Sequence, residues 1–353
     1  MMRHVIISDT HAPHIIDEIY EDVVQRILPT YEVDAIVING DLLGIFSLER
    51  SREHTTPITR DQKKTYLKQA APKWAAEYSW GAALTEQAVI AYVEERYEWV
   101  VTTLKKFSEQ KYTLWNMGNH ESPHHFLVLQ ELAFLTEQEL PSIPNQESLH
   151  DIFARHEQQL ALLELTHAFA YIRHKPLIQQ NTLILPIPGE SHDAIGNTRP
   201  AHAQEHKTKE LIQQAKQLLT SAQHIIIYNH TQGDYDRQTG FFAPLSPAIN
   251  AFIQETKVQD IIWIQSHNHW SFTQHIYTDN THYILNNAGL QGGIYNLLEI
   301  GEVITVYDVH TRTTTITALK PTSAPVPSQD QLAIIQRNYM NSLDIFMHRK
   351  MRL

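Results

Sequence analysis

"RHVIISDTH", residues 3 to 11, is the stretch on which the fold turns. Val5, Ile6 and Ile7 form a short β-branched run that stops at Ser8, Asp9, Thr10 and His11. A run this short, with polar residues at its exit, suits a strand covered on both faces. Further along, "AIVINGD", residues 35 to 41, repeats the design, and a helix-compatible stretch from Asp17 to Leu28 lies between the two. The unit reads as strand, helix, strand.

The same grammar returns three times. Tyr112 to Trp115 precedes Gly118-Asn119-His120-Glu121, His224 to Tyr228 precedes Asn229-His230, and Ile261 to Ile264 precedes Gln265-Ser266-His267-Asn268-His269. Helices are expected up to Gln110 and from about His202 to Leu219. Every one of these strand exits carries Asp, His or Asn. Ligands of open α/β sheets bind outside the carboxyl ends of strands, so these loops are expected to converge on one site. From Phe272 onward the pattern changes. Phe272 to Tyr277, His282 to Leu285, Tyr295 to Ile300, Val303 to Val309 and Thr313 to Leu319 read as short strands of a mostly antiparallel second sheet. The simplest architecture is α/β: a four-layer α/β/β/α sandwich of two mixed sheets flanked by helices.

Two helical regions exceed what such a core needs, at about 62 to 110 and 125 to 170, the latter broken around Pro141-Ser142-Ile143-Pro144. On a helix from about Thr85 to Glu109, Val89, Tyr92, Val93, Tyr97 and Val100 fall near one face. The aromatic stripe reads more naturally as core than as a ligand box. The insertions would form a cap beside the catalytic edge or a surface for a homo-oligomer. Residues 1 to 320 are expected as a single domain, with a linker after Pro321 and a C-terminal helix from Leu332 to Met347 filling 321 to 353.

Composition narrows the chemistry. The formal net charge of -11 argues against a broad nucleic-acid surface, which needs clustered Lys and Arg. No stretch approaches the roughly 20 apolar residues of a membrane span, and the N-terminal run is too short and too soon acidic for a secretory segment. A cytoplasmic protein is the default expectation, with export lacking a cleaved signal still open. There is no cysteine, so any metal must use nitrogen and oxygen donors, and histidine is abundant, 22 of 353 residues.

Taken singly, Asp9-x-His11 reads as a loop turn and Gly40-Asp41 as a turn or helix cap. Taken together, Asp9, His11, Asp41, Asn119, His230, His267 and His269 supply oxygen and imidazole donors from the strand exits. Two divalent ions about 3.5–4 Å apart need such a set, with an anionic group between them.

With these blocks in order, the chain resembles the calcineurin-like metallophosphoesterases, whose pattern runs D-x-H, G-D, G-N-H-D/E, a lone His and G-H-x-H. Asn286-Asn287-Ala288-Gly289 resembles that family's turn after the last block. The resemblance implies a dinuclear centre of Mn, Fe or Zn, with Ni also compatible. Asp9, His11 and His269 would hold one ion, Asn119, His230 and His267 the other, and Asp41 would bridge. It also implies His120 as the imidazole that meets the phosphoryl group and protonates the leaving oxygen, oriented by Glu121 or Asp9. Water acidified by the metals would attack phosphorus in line. Asn229 and Ser266 stand where the family often has Gly. The Arg residues of the protein Ser/Thr phosphatase branch are missing, Leu42-Leu43-Gly44 and Ser122-Pro123 following the second and third blocks.

Candidate substrate contacts are Asn119, His120, His124, His192 and Arg237, the last weighed against a salt bridge to Asp234 or Asp236. The expected reaction is hydrolysis of a small phosphate monoester or diester. The alternatives are a nuclease, a nucleotide or dinucleoside polyphosphate hydrolase, and a non-catalytic interaction module that keeps the fold.

Overall fold

The computed structural model describes residues 1–10, 13–42, 86–118, 121, 146–172, 175–187, 201–230, 233–235, 242–244, 246–258, 260–266, 275–278, 281–285, 293–319, 330 and 333–334. Contacts group the chain into two compact units. One comprises Met1–Trp115, His120–Tyr171 and Ala288–Ala318, the other Asn116–Asn119, Ile172–Asn287 and Leu319–Leu353. The architecture is the expected one: two mixed sheets flanked by helices, in the α/β/β/α class.

The first unit begins with β1 (Met2–Ile7), and helix α1 (Pro13–Asp22) leads through a π-helical turn, Val23–Ile27, to β2 (Ala35–Asn39). β1 and β2 pair in parallel, with Val5 opposite Ile36 and Ile7 opposite Ile38. Every residue of β2 is buried, which is why its sequence is a continuous apolar run and not an alternation. On α1 and its continuation Ile15, Ile19, Val23 and Ile27 recur every four residues, and all are buried.

Helix α2 (Glu86–Gln110) connects β2 to its neighbour β3 (Thr113–Asn116), and α3 (Gln146–Thr166) connects β3 to β4 (Phe169–Tyr171), which pairs parallel with β3. The described parts of both helical insertions are therefore crossover connections. Of the expected stripe, Tyr97 and Val100 are buried as core, together with Leu104 and Phe107 of the same helix, while the side chains of Val89, Tyr92 and Val93 lie outside the described residues. Across from them Phe153 and His156 of α3 gather with Trp115 of β3. His156 lies 4.5 Å from the Tyr97 ring and 6.0 Å from that of Trp115, which stacks on Tyr171 at 5.0 Å.

The second unit contains β5 (Leu177–Gln179), β6 (Thr182–Ile187), helix α4 (Ala201–Leu218), β7 (His224–Asn229), the ribbon of β8 (Gly233–Tyr235) and β9 (Phe242–Pro244), helix α5 (Pro247–Glu255), β10 (Asp260–Gln265), β11 (His275–Thr278) and β12 (Thr281–Leu285). Its sheet runs β11-β12-β10-β7-β6-β5, with the four strands from β12 to β6 parallel and an antiparallel strand at each edge. Ser246 caps α5, accepting from the Ile249 amide at 3.2 Å and donating to Glu205 at 2.7 Å, with Pro247 at the first helical position.

The last strands depart from expectation. β13 (Ile294–Ile300), β14 (Ile304–His310) and β15 (Ile316–Ala318) extend the first sheet, whose order is β15-β14-β13-β1-β2-β3-β4, while β11 and β12 complete the second. They do not form a sheet of their own. β13 pairs antiparallel with β1, and β12 pairs parallel with β10. Apolar alternation identified them as strands, but the choice of partner depended on which sheet edges stood open. The C-terminal helix and linker expected over 321–353 fall almost wholly outside the described residues. No helix among the described residues is long and apolar enough to cross a membrane.

Candidate metal centre

The first unit delivers its two candidate carboxylates by the same device. Asp9 follows β1 with φ of 50° and Asp41 follows β2 with φ of 56°, both in the left-handed region that L residues seldom occupy. Asp is among the side chains that tolerate it, and Gly40, at φ 88°, supplies the bend before Asp41. The two turns are tied together, the Asp9 amide donating to the Gly40 carbonyl at 3.1 Å. Both Asp side chains are fully buried. Paired backbone outliers at adjacent strand ends are the kind of local cost that functional sites retain.

Glu121 is also fully buried, and its Oε2 accepts from the Asp41 amide at 2.9 Å. Its own carbonyl accepts from the Tyr97 hydroxyl at 3.0 Å. A chain of hydrogen bonds thus runs from Tyr97 of α2 through Glu121 to the backbone of Asp41. Sequence reasoning offered Glu121 or Asp9 as the group that orients His120, which lies outside the described residues; the bond from the Asp41 backbone to Glu121 was not foreseen. Tyr97 was recognised only as core, because nothing in its spacing marks a hydroxyl partner.

The second unit supplies His230 at the exit of β7. Its carbonyl accepts from Gln265 Nε2 at 2.8 Å, and the same nitrogen donates to the Ser266 carbonyl at 3.0 Å. Asn229 Nδ2 donates to Gln265 Oε1. Gln265, the last residue of β10, therefore locks the backbones of both strand exits. Sequence reasoning passed over it; the available signal was a polar residue closing an otherwise apolar, buried strand. Asn116, grouped with this unit, donates to the carbonyls of Ile187 at 3.3 Å and Tyr228 at 3.2 Å, which fixes the last residue of β3.

Ligand atoms of Asp9, Asp41 and His230 all lie within 4.8 Å of one another, and all three residues are buried. Two carboxylates and an imidazole gathered out of water are a donor set suited to a divalent ion with mixed nitrogen and oxygen preference. Without a cation, two carboxylates at this separation repel each other. The cluster can hold one metal ion. Of the other expected site residues, His11, Asn119, His120, His124, His192, Arg237, His267 and His269 lie outside the described residues.

The sequence profile of the calcineurin-like phosphoesterases matches residues 2–271. No curated protein matches the chain at a significant level. Similar solved structures include GAP50, the anchor in the inner membrane complex of Plasmodium, at 10% identity over 97% of this chain and 94% of that one, with a TM-score of 0.42. A candidate 5′-nucleotidase from Staphylococcus aureus shares 11% identity over 96% of this chain and 58% of its own length, with a TM-score of 0.39.

Proposed function

The chain belongs to the calcineurin-like phosphoesterase family, a family of hydrolases, and from that premise we propose that it hydrolyses a small phosphate monoester or diester at a dinuclear metal centre. The observation that carries this reading is the buried Asp9, Asp41 and His230 cluster, built on two carboxylates in left-handed turns. We take residues 1 to 320 as the domain that does the chemistry.

In this reading Asp9, His11 and His269 would hold one metal and Asn119, His230 and His267 the other, with Asp41 as a ligand that would serve both. Manganese, iron, zinc or nickel in those positions would supply Lewis acidity toward the phosphoryl oxygens and an acidified water. The chain's own residues have separate tasks. Glu121 holds the Asp41 amide and so fixes the turn that presents its carboxylate. His120 donates to the phosphoryl group and then to the leaving oxygen. His124, His192 and Arg237 are candidates for the remaining substrate contacts. No covalent enzyme intermediate is required.

The net charge of -11 favours a small substrate over long nucleic acid, which would need a basic groove. The test is turnover of p-nitrophenyl phosphate and bis(p-nitrophenyl) phosphate with added Mn, Fe or Zn, alongside metal analysis. Two equivalents of metal and turnover are expected. A preparation that binds metal but turns over neither ester, nor nucleotides, would favour the interaction-module alternative. Asp41→Asn should lower kcat by about 100-fold or more, since it removes an anionic ligand from the centre.

A further inference from the structure

The buried face of the second sheet changes character at its last rung. Ile225 and Ile227 of β7 and Ile261 and Trp263 of β10 pack in one core with Leu211 of α4 and Phe252 of α5. The period of two along each strand puts Asn229 and Gln265 next on that face, and the two strands pair in register there. Apolar side chains would continue the core without burying polar groups. Two buried amides stand there instead.

The Gln265 amide is bonded at both ends. Its Oε1 accepts from Asn229 Nδ2 and from Trp263 Nε1 at 3.3 Å, and its Nε2 donates to the carbonyls of His230 at 2.8 Å and Ser266 at 3.0 Å. The full capacity of a primary amide is thereby engaged. The backbone of His230 is also held from β6, its amide donating to the Ile187 carbonyl at 3.4 Å, and the Ser266 amide donates to the Asn229 carbonyl at 3.2 Å. Satisfied polar networks of this kind specify one geometry where apolar packing would allow several. Asn229 and Ser266 are also the two positions where the calcineurin-like pattern often has Gly. A glycine at 229 would have no side-chain amide to give Gln265.

We propose that Gln265, held by Asn229, is a positioning residue for the metal centre: it fixes the backbone of His230, and so the point from which the imidazole reaches an ion. This deepens the function proposed above and rests on its metal centre. The physical ground is preorganisation. A ligand whose backbone is already fixed loses less conformational freedom when it binds, and removing a group that orients a metal ligand typically weakens metal affinity by about 10- to 100-fold.

Titration of Mn into the metal-free protein, together with the visible spectrum of its Co(II) form, tests the assignment. Gln265→Met roughly keeps the volume and removes all of the amide's bonds, so Mn affinity should fall by about tenfold or more, and the Co(II) bands should shift at saturation. Asn229→Ala removes one bond to Gln265 and should weaken Mn binding by about threefold. In the Gln265→Met background Asn229→Ala should cause no further loss, because the amide it holds is gone. If Gln265→Met does not fold, Asn229→Ala carries the same titration and spectrum on a milder change. Either variant, folded, with wild-type Mn affinity and Co(II) spectrum and only a lower urea midpoint would confine the pair to packing and overturn the proposal. Losses that multiply independently in the double variant would overturn it as well. A wild type that binds no Mn removes the centre itself and this assignment with it. Mn binding that responds to these variants in a protein that hydrolyses no phosphate ester keeps the assignment and removes the hydrolase reading.

Discussion

At the scale of single residues, the site is made by backbone as much as by side chains. Asp9 and Asp41 occupy left-handed turns after parallel strands, so their carboxylates leave the strands in directions that a regular extended exit would not give. Holding two buried carboxylates this close without a cation is unfavourable. Asp41→Asn keeps the shape, and Asn tolerates the same backbone region. In the metal-free protein this substitution should therefore raise stability, by about 1 kcal/mol, seen as a higher urea midpoint. With saturating Mn the order should invert, since the wild type gains binding free energy that the variant has weakened. A metal-free variant less stable than the wild type would mean that the Asp41 carboxylate is satisfied by the protein alone.

At the scale of elements, α2 is the member that ties the first core to the site. Its lower half packs Leu104 and Phe107 into the core, and its upper half reaches Glu121 through Tyr97. Tyr97→Phe removes one neutral hydrogen bond and should cost about 1 kcal/mol of stability. If the chain from Tyr97 to Asp41 positions the metal ligand, the same variant should also weaken Mn binding several-fold in a titration. A change in stability alone would confine Tyr97 to packing. A second network fastens α1 to the last strands. Arg26 grips Asp22 with two bonds, at 2.7 and 2.6 Å, and reaches the Thr314 carbonyl at 2.9 Å, while Tyr295 donates to Asp22 at 2.6 Å. Burial, reinforced by that carboxylate, pushes the Tyr295 phenol well above its usual range, so it remains a donor at any ordinary pH. Asp22→Asn should cost about 2 kcal/mol by chemical denaturation, because it weakens three charge-assisted bonds at once.

At the scale of the whole molecule, charge decides what approaches. A chain of net charge -11 repels anionic substrates at long range, and salt screens that repulsion. For a small phosphate ester, kcat/KM should rise as ionic strength goes from about 10 to 150 mM. A nuclease held to its substrate by phosphate contacts would lose activity over the same range, so the sign of the salt effect separates the leading reading from its alternative. The fold was legible at this scale because its strands are short, continuous apolar runs ending in Asp, Asn or His, and burial on both faces leaves little other choice. The strands β4 and β5 escaped notice because three residues are too few to show a period. The destination of β13 to β15 could not be read either, since an alternating strand records one wet and one dry face but not its neighbour.

The sequence by itself determined which elements form and which chemical groups stand at their exits, since apolar period and donor type are local properties of the chain. It also determined the family, through blocks whose order survives in one dimension. Only the tertiary structure decided that Glu121 serves the Asp41 backbone and that Gln265 pins the His230 exit. Those facts depend on residues 35 and 80 positions apart meeting in space. Hydrogen bonding and desolvation act over a few ångströms, a distance that position along the chain does not encode.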